Sequence, residues 1–338
     1  MNMTAKVSLI MPAYNIESEI KRSIESVLKQ TYTNIELIIV DDGSKDSTPN
    51  IIDQYAKYHA NIIPIHRENG GVFSARIEGI FQSTGDYIGF IDGDDYIEPE
   101  MIEQLLKNAI EYNADISHCG YEMVFPNGKV DLYYGTGNRV LQNNEKGVID
   151  LLEGKYIEPG LWNKLYRREL FEKVGLNELD YSIKINEDLL LNYYLFKESK
   201  RAIYEDQCYY HYMLRVNSAA TSTINKNKLS DPVKVLKIML EDNTQEDIYY
   251  ELILARLTRQ LIGLSTMSSR PDPKLIRPYK RKAQRELRSR LMSILKCKGC
   301  SSKVKIMAVW AAILPITYQT IHFLYGRLTG LDKKYSLD

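Results

Sequence analysis

The sequence predicts an α/β protein: a mostly parallel sheet with helices on both faces, followed by a C-terminal helical extension. Three observations carry this. From Val7 to Ala109, short apolar runs alternate with segments of helical periodicity. Near Asp115 the rhythm changes to strands joined by a turn, and beyond about Asn225 the chain reads as helical. Apolar strands separated by helices are the pattern of a parallel sheet covered on both sides.

Val7-Ser8-Leu9-Ile10-Met11 is the first buried strand. Ile20, Ile24, Val27 and Leu28 then recur at helical spacing. Ile35 to Val40 is a second strand. Thr48-Pro49 supplies a cap with proline at the first helical position, and that helix runs to about His59. Ile62 to Ile65 is a third strand, Gly71 to Gln82 a helix and Tyr87 to Ile91 a fourth strand. Pro99 opens a helix through Leu105, Leu106 and Ala109. Ile116 to Val124 and Lys129 to Tyr134 read as strands around the turn Pro126-Asn127-Gly128. Asn186 to Phe196 is helical, and Arg270-Pro271-Asp272-Pro273 breaks the final helical stretch. These shifts divide the chain into residues 1–225, with halves 1–115 and 116–225, and residues 226–338.

The 338 residues are 44% apolar and 26% charged, which excludes a disordered, collagen-like or disulfide-scaffold chain. Four cysteines suit a reducing compartment. The first apolar stretch stops at Pro12, too short for a secretory signal, so a cytoplasmic location is expected. Charge is balanced at 44 basic and 44 acidic residues, so the chain as a whole is no polyelectrolyte binder and nucleic acid is not an expected partner. The balance hides a split. From Arg270 onward there are sixteen Lys/Arg against four Asp/Glu, a net +12, so the preceding part carries −12. Such asymmetry predicts that the tail meets an anionic surface.

In a doubly wound sheet, ligands bind beyond the carboxyl ends of the strands. Pro12-Ala13-Tyr14-Asn15 follows the first strand, Asp41-Asp42-Gly43-Ser44 the second, and Asp92-Gly93-Asp94-Asp95 the fourth. Asp-Asp-Gly-Ser alone is a good turn and helix cap. Two acidic clusters at one edge are another matter, because gathered carboxylates repel unless a cation or donor-rich ligand compensates. Mg²⁺ and Mn²⁺ prefer oxygen ligands, and Mg²⁺ commonly uses one or two carboxylates plus substrate phosphates. No glycine-rich phosphate loop is present. The implied ligand is a metal-bound diphosphate.

Val7 to Asn15, Val40 to Thr48 and Phe90 to Asp95, in this order and spacing, resemble the family 2 glycosyltransferases of GT-A fold. Trp162-Asn163-Lys164-Leu165-Tyr166-Arg167-Arg168 and Asn186-Glu187-Asp188 resemble the bacterial members that build capsule, exopolysaccharide or lipopolysaccharide. The resemblance implies an inverting, metal-dependent transferase that moves one sugar from a nucleoside diphosphate donor, UDP by expectation, to a surface-polysaccharide or lipid-linked acceptor. It makes 1–115 the nucleotide-sugar half and 116–225 the acceptor-side half. Pro12, Ala13 and Tyr14 match the loop flanking the nucleoside, and Asp41 the contact to the base. Asp92 and Asp94 match the Asp-x-Asp motif that holds Mn²⁺ or Mg²⁺, Asp92 towards the ribose or the metal and Asp94 as the direct ligand, with Asp95 either supporting the metal ligands from behind or contacting the donor sugar. Asp188 matches the catalytic base. Asn69-Gly70-Gly71 is expected as a donor-site loop, and His211 or Arg215 near the diphosphate. The family's Ala-Arg-Asn reads Ala75-Arg76-Ile77 here; Ile77 cannot make the asparagine contacts, so this segment is left out of the expected site. The Gln-x-x-Arg-Trp of processive members is absent, which implies one transfer per encounter. Rival readings of the same edge are a metal-dependent phosphohydrolase or nucleotidyltransferase, and a non-catalytic membrane scaffold.

In the tail, Ile306 to Tyr325 contains no Asp, Glu, Lys or Arg. At a rise of about 1.5 Å per residue it is nearly long enough to span a bilayer. It follows the basic stretch Lys274 to Lys298. Peripheral anchoring at the inner face of the cytoplasmic membrane is the expectation, against packing on protein or true spanning. Cys297-Lys298-Gly299-Cys300 lacks the second ligand pair that structural zinc takes, so no metal is expected there.

Overall fold

The computed structural model describes residues 4–133, 135–215, 223–318 and 320–321. The chain divides into two units, Met1–Arg215 and Val216–Asp338. This division falls short of the expected boundary at 225, and residues 216–222 lie outside the described residues.

The first unit opens with the expected alternation: β1 (Val7–Ala13), α1 (Ile20–Leu28), β2 (Ile35–Asp41), α2 (Thr48–Tyr58), β3 (Ile62–His66), α3 (Val72–Gln82), β4 (Tyr87–Phe90), β5 (Tyr96–Ile97) and α4 (Met101–Glu111). Every residue of β1, β2 and β4 is buried, which is why these strands read as continuous apolar runs. The strand order is β3-β2-β1-β4, all parallel. Of the helical set read from the sequence, Ile20, Ile24 and Val27 of α1 are buried, with Ser23 and Ser26 beside them, while Leu28 is partly exposed.

The rest of the unit is β6 (Ile116–Val124), β7 (Val130–Tyr133), β8 (Arg139–Asn143), α5 (Asn144–Glu153), β9 (Lys164–Arg167), α6 (Arg168–Lys173), α7 (Glu187–Glu198) and β10 (Arg201–Met213). The second expected hairpin strand was read to Tyr134, which lies outside the described residues. Strand β9 inserts antiparallel between β4 and β6, and β10 lies parallel to β6. One ten-stranded sheet results, parallel on one side and mixed on the other. The sequence reading missed β5, β8, β9, α5 and α6. Strand β9 is four residues with Lys164 and Arg167 at its ends, so no apolar run announces it. Strand β10 bends at a bulge between Glu205 and Tyr210, so its first part pairs with β8 and its last part with β5.

The second unit is helical: α8 (Lys226–Glu241), α9 (Ile248–Thr266), α10 (Pro273–Ser289), α11 (Leu291–Lys296) and α12 (Ser302–Ile313). Asn225, Asp272 and Ser301 cap α8, α10 and α12 with side-chain oxygens that accept backbone N–H groups. The core of this unit includes Val235, Met239, Ile253, Leu257, Leu261, Ile276, Leu287 and Ala308. Cys297 and Cys300 are buried, and the Cys297 thiol donates to the Glu251 carbonyl at 3.3 Å. The single helix expected over 306–325 does not form. Helix α12 stops at Ile313, and Leu314 leaves helical geometry with ψ 61°; Gln319 and residues 322–325 lie outside the described residues. Among the described residues, no helix is long and apolar enough to cross a membrane.

At the amino ends of the strands, Glu36 of β2 is buried and satisfied from all sides. It accepts from Ser8 Oγ at 2.5 Å, from Thr84 N at 2.6 Å and from Thr84 Oγ1, and pairs with Lys6 at 2.5 Å. Burial alone would raise its pKa; these donors outweigh burial and hold it down at about 2. A depressed carboxyl pKa stabilises the fold above the unfolded value and loses that contribution as pH falls through the folded value. Glu36→Gln is therefore expected to lower the melting temperature at neutral pH. The gap to the wild type should close between pH 4.5 and about 2, as read by circular dichroism melts across that range.

Candidate active site

The carboxyl ends of β1, β2 and β4 lie side by side. Ala13 is in register with Asp41, and Ile91, next along from β4, donates its N–H to Ile10 O at 3.0 Å. Pro12-Ala13-Tyr14, Asp41 and Asp92 therefore share one edge. Pro12 and Ala13 are buried, while Tyr14 is half exposed. The loops after β1 and β2 are laced together. Asn15 N donates to Ser44 Oγ at 3.0 Å, Lys45 N to Asn15 Oδ1 at 2.8 Å, and Ile16 N to Thr48 Oγ1 at 3.0 Å. Gly43 takes φ +77°, and a Cβ there would sit 2.9 Å from Asn69 N.

The two aspartates after β2 have different surroundings. Asp41 accepts from Ser44 N at 3.1 Å, and its other oxygen lies 3.1 Å from His66 Nδ1. His66 Nε2 meets Asp53 at 3.0 Å. Burial would lower the His66 pKa, but the two flanking carboxylates raise it. Asp42 instead accepts from Gly70 N at 2.9 Å and Gly71 N at 2.7 Å, and so fixes the Asn69-Gly70-Gly71 loop that starts α3. Lys184, from the segment before α7, donates to Gly70 O.

The turn Asp92-Gly93-Asp94-Asp95 is held from several directions. Gly93 packs against Pro12 and Ile16; a Cβ there would lie 2.5 Å from Ile16 Cδ1. The Tyr210 hydroxyl of β10 accepts from Asp92 N at 3.1 Å and donates to Asp95 at 2.7 Å. Asp95 also accepts from Met213 N at 2.7 Å and is buried. Burial, then Asp94 and Asp92, push its pKa well up. Asp94 is partly exposed; burial and Asp92 raise its pKa, opposed by Arg215, whose guanidinium pairs with it. Arg22 Nη2 donates to Asp94 O at 2.5 Å.

Arg76, on α3, joins this turn to α7. Its buried guanidinium donates to Asp92 Oδ1 at 2.8 Å and to Glu187 Oε1 at 3.0 Å, and its Nε is buried without a hydrogen-bond partner. Asp188 follows Glu187 at the first turn of α7, after Asn186 in left-handed geometry at φ 65°. Burial and Asp188 raise the Glu187 pKa, opposed by Arg76; burial likewise raises that of Asp188, again opposed by Arg76. Burial is the first cause in both, and neighbouring carboxylates around the one guanidinium add to it. Lys164 is buried close enough to act on Asp188, and its ammonium donates to Glu158 O at 2.8 Å, Gly160 O at 2.6 Å and Asn163 Oδ1 at 2.5 Å. Burial lowers its pKa to about 7.

Of the expected residues, Pro12, Ala13, Tyr14, Asp41, Asp92 and Asp94 lie along this edge, and Arg76 links Asp92 to the Glu187-Asp188 pair. Asp95 turns inward onto Tyr210 and Met213. His211 sits apart, between Glu98 at 2.7 Å and Glu122 at 3.1 Å and stacked on Tyr96. Arg215, the other expected basic residue, is on Asp94. Sequence reasoning set Arg76 aside because of its neighbour Ile77, and it had no signal for Tyr210. Asp92 Oδ1 is paired with Arg76 and Asp94 Oδ2 with Arg215. Among the described residues no cluster of three His, Cys, Asp or Glu side chains forms a cage. Two carboxylates fit Mg²⁺ or Mn²⁺ that completes its shell with phosphate and water.

The family model described as glycosyl transferase family 2 matches residues 8–175. The chain is 38% identical over 219 residues to the uncharacterized glycosyltransferase EpsJ of Bacillus subtilis (strain 168), covering 64% of this chain and 63% of that one. It thus spans less than two thirds of EpsJ. It is 32% identical over 247 residues to the uncharacterized glycosyltransferase RP339 of Rickettsia prowazekii, covering 72% of this chain and 74% of that one. Residues 1–349 of S. aureus TarS, in complex with UDP-GlcNAc, superpose with a TM-score of 0.71 at 20% identity, covering 95% of this chain and 92% of that one. That likeness shows the same fold, the expected GT-A arrangement with C-terminal helices. With the motifs at 40–48 and 90–95 inside the matched region and the rickettsial match across three quarters of its length, the chain belongs to glycosyl transferase family 2.

Proposed function

We propose that this protein transfers one sugar, with inversion, from a UDP-linked donor to a surface-polysaccharide or lipid-linked saccharide at the inner face of the cytoplasmic membrane. The observation that carries the reading is Arg76: one buried side chain ties the acidic turn, where a diphosphate and its cation fit, to the helix start that bears Asp188. The UDP-GlcNAc complex of TarS supports a UDP-sugar donor on this fold.

In this reading Tyr14 covers the nucleoside and Asp41, oriented by Ser44 and His66, accepts from the base. Asp92 and Asp94 would hold Mn²⁺ or Mg²⁺, which supplies Lewis-acid stabilisation of the leaving diphosphate when bound. Arg215 lies on Asp94 and is placed to share the diphosphate charge. Inversion is a single in-line displacement. The acceptor hydroxyl attacks the anomeric carbon, Asp188 takes its proton, and the nucleoside diphosphate departs with the electron pair of the broken bond. The Glu187–Arg76 pair holds the helix start so that Asp188 stays in place.

Two outcomes test this. Thermal unfolding with UDP is expected to show stabilisation that requires Mn²⁺, about 2.7 kcal/mol at a hundredfold excess over the dissociation constant. Asp94→Ala should abolish it; no shift with any nucleoside diphosphate would remove the donor-site assignment. Second, Asp188→Asn should keep the UDP shift and lose roughly 10²–10⁴-fold in turnover. Because burial raises the Asp188 pKa, the acidic limb of wild-type kcat/KM against pH should lie above the ordinary aspartate range. A limb at the ordinary value would assign the base elsewhere.

A further inference from the structure

Helix α10 winds its cations onto one side. Lys274, Arg277, Arg281, Arg285 and Arg288 are all exposed and three or four residues apart, so they form one stripe. On the opposite side Ile276, Ala283 and Leu287 are buried. No acid interrupts the stripe: Asp272 caps the helix, and Glu286 is turned to Lys237 and Arg290. The same spacing continues into α11 as Met292 and Leu295, both exposed.

The stripe ends beside an apolar tip. Arg288 Nε donates to Ala312 O at 2.7 Å, which brings the end of α12 to the end of α10. There the helix breaks at Leu314, and Ile313, Leu314 and Ile316 are 61%, 55% and 78% exposed. The buried side of α12, with Val304, Ala308, Ala311 and Ala312, is already used within the helical unit. A clustered apolar tip next to a row of cations marks an interaction surface. Nucleic acid would use the stripe but not the isoleucines. An anionic bilayer uses both, phosphate headgroups for the cations and the acyl boundary for the tip.

We infer that the helical unit docks on an anionic lipid bilayer through the stripe of α10, with Ile313, Leu314 and Ile316 as the inserting tip. This deepens the membrane-side placement proposed above. It replaces the in-plane helix expected over 306–325 by a cationic stripe and a short insertion at a helix break.

The full chain is sedimented with vesicles of phosphatidylcholine alone or mixed with phosphatidylglycerol. Pelleting is expected with the anionic vesicles only, weakened by salt as headgroup attraction is screened. Combined Arg277→Ala, Arg281→Ala and Arg285→Ala should lower partitioning roughly a hundredfold, and alanine keeps the helix. Ile313→Ser with Ile316→Ser should remove the binding that survives high salt. Stabilisation by UDP with Mn²⁺, read on the same preparations, is expected to be unchanged in every variant and separates this surface from the donor site. Vesicle binding with no UDP response leaves the docking surface standing and overturns only the catalytic reading. Equal pelleting on neutral vesicles, unaltered binding by the arginine variant, or capture of a duplex oligonucleotide in place of vesicles would overturn the docking surface.

Discussion

The arrangement of the site depends on one buried guanidinium. Arg76 reaches from α3 to Asp92 on one side and to Glu187 on the other. Burying such a group costs several kcal/mol unless its donors are matched. Its Nη1 and Nη2 are matched while Nε is not, and these two pairs tie three elements together: the helix after β3, the turn after β4 and the start of α7. Lysine could not do this, because it lacks the planar fork that serves two carboxylates in different directions. Gly79, one turn further along α3, shows how close that helix lies to the sheet, since a Cβ there would be 2.4 Å from Ile10 Cγ2. The helix that carries Arg76 therefore has little freedom to move.

The mixed half of the sheet is the second support. Strand β10 runs beside β6 and delivers Tyr210 under the acidic turn, where its hydroxyl serves Asp92 N and Asp95 together. Trp162 stacks on Tyr210 at 4.4 Å, and Tyr121 packs edge-on to Trp162 at 4.8 Å. Buried tyrosine needs a partner for its hydroxyl. Here the partner is the turn itself, so apolar packing on one end of the ring becomes positional control at the other.

The parallel half and the acidic edge were legible in the sequence because both have local signals. Buried strands read as apolar runs, and their carboxyl ends mark where ligands bind in such a sheet. Asp41, Asp92 and Asp94 follow from that rule. What was not legible depends on contacts between residues far apart in sequence. Arg76 meets Glu187 across 111 positions, and Tyr210 meets Asp95 across 115. Strand β9 hides because it is short and charged at its ends; its lysine is matched by three oxygens that no pattern reveals. In the tail, the break at Leu314 had a local signal, since Pro315 follows it and disfavours helical geometry in the residue before it, but the twenty residues without Asp, Glu, Lys or Arg were read as one apolar helix.

Charge balance links the site to its ligand. Asp92, Asp94, Glu187 and Asp188 gather at an edge, with Asp95 turned inward beside them, where Arg76 pairs with Asp92 and Glu187 and Arg215 with Asp94. Burial first, and neighbouring carboxylates after it, push the carboxyl pKa values of Asp94, Asp95, Glu187 and Asp188 upward. A nucleoside diphosphate brings more negative charge to the same edge. In the function proposed above, a cation held by Asp92 and Asp94 would offset the charge of both the carboxylates and the diphosphate. On that proposal the surplus of carboxylates would act as a selection rule, disfavouring the anionic donor alone and favouring the metal complex of the same donor.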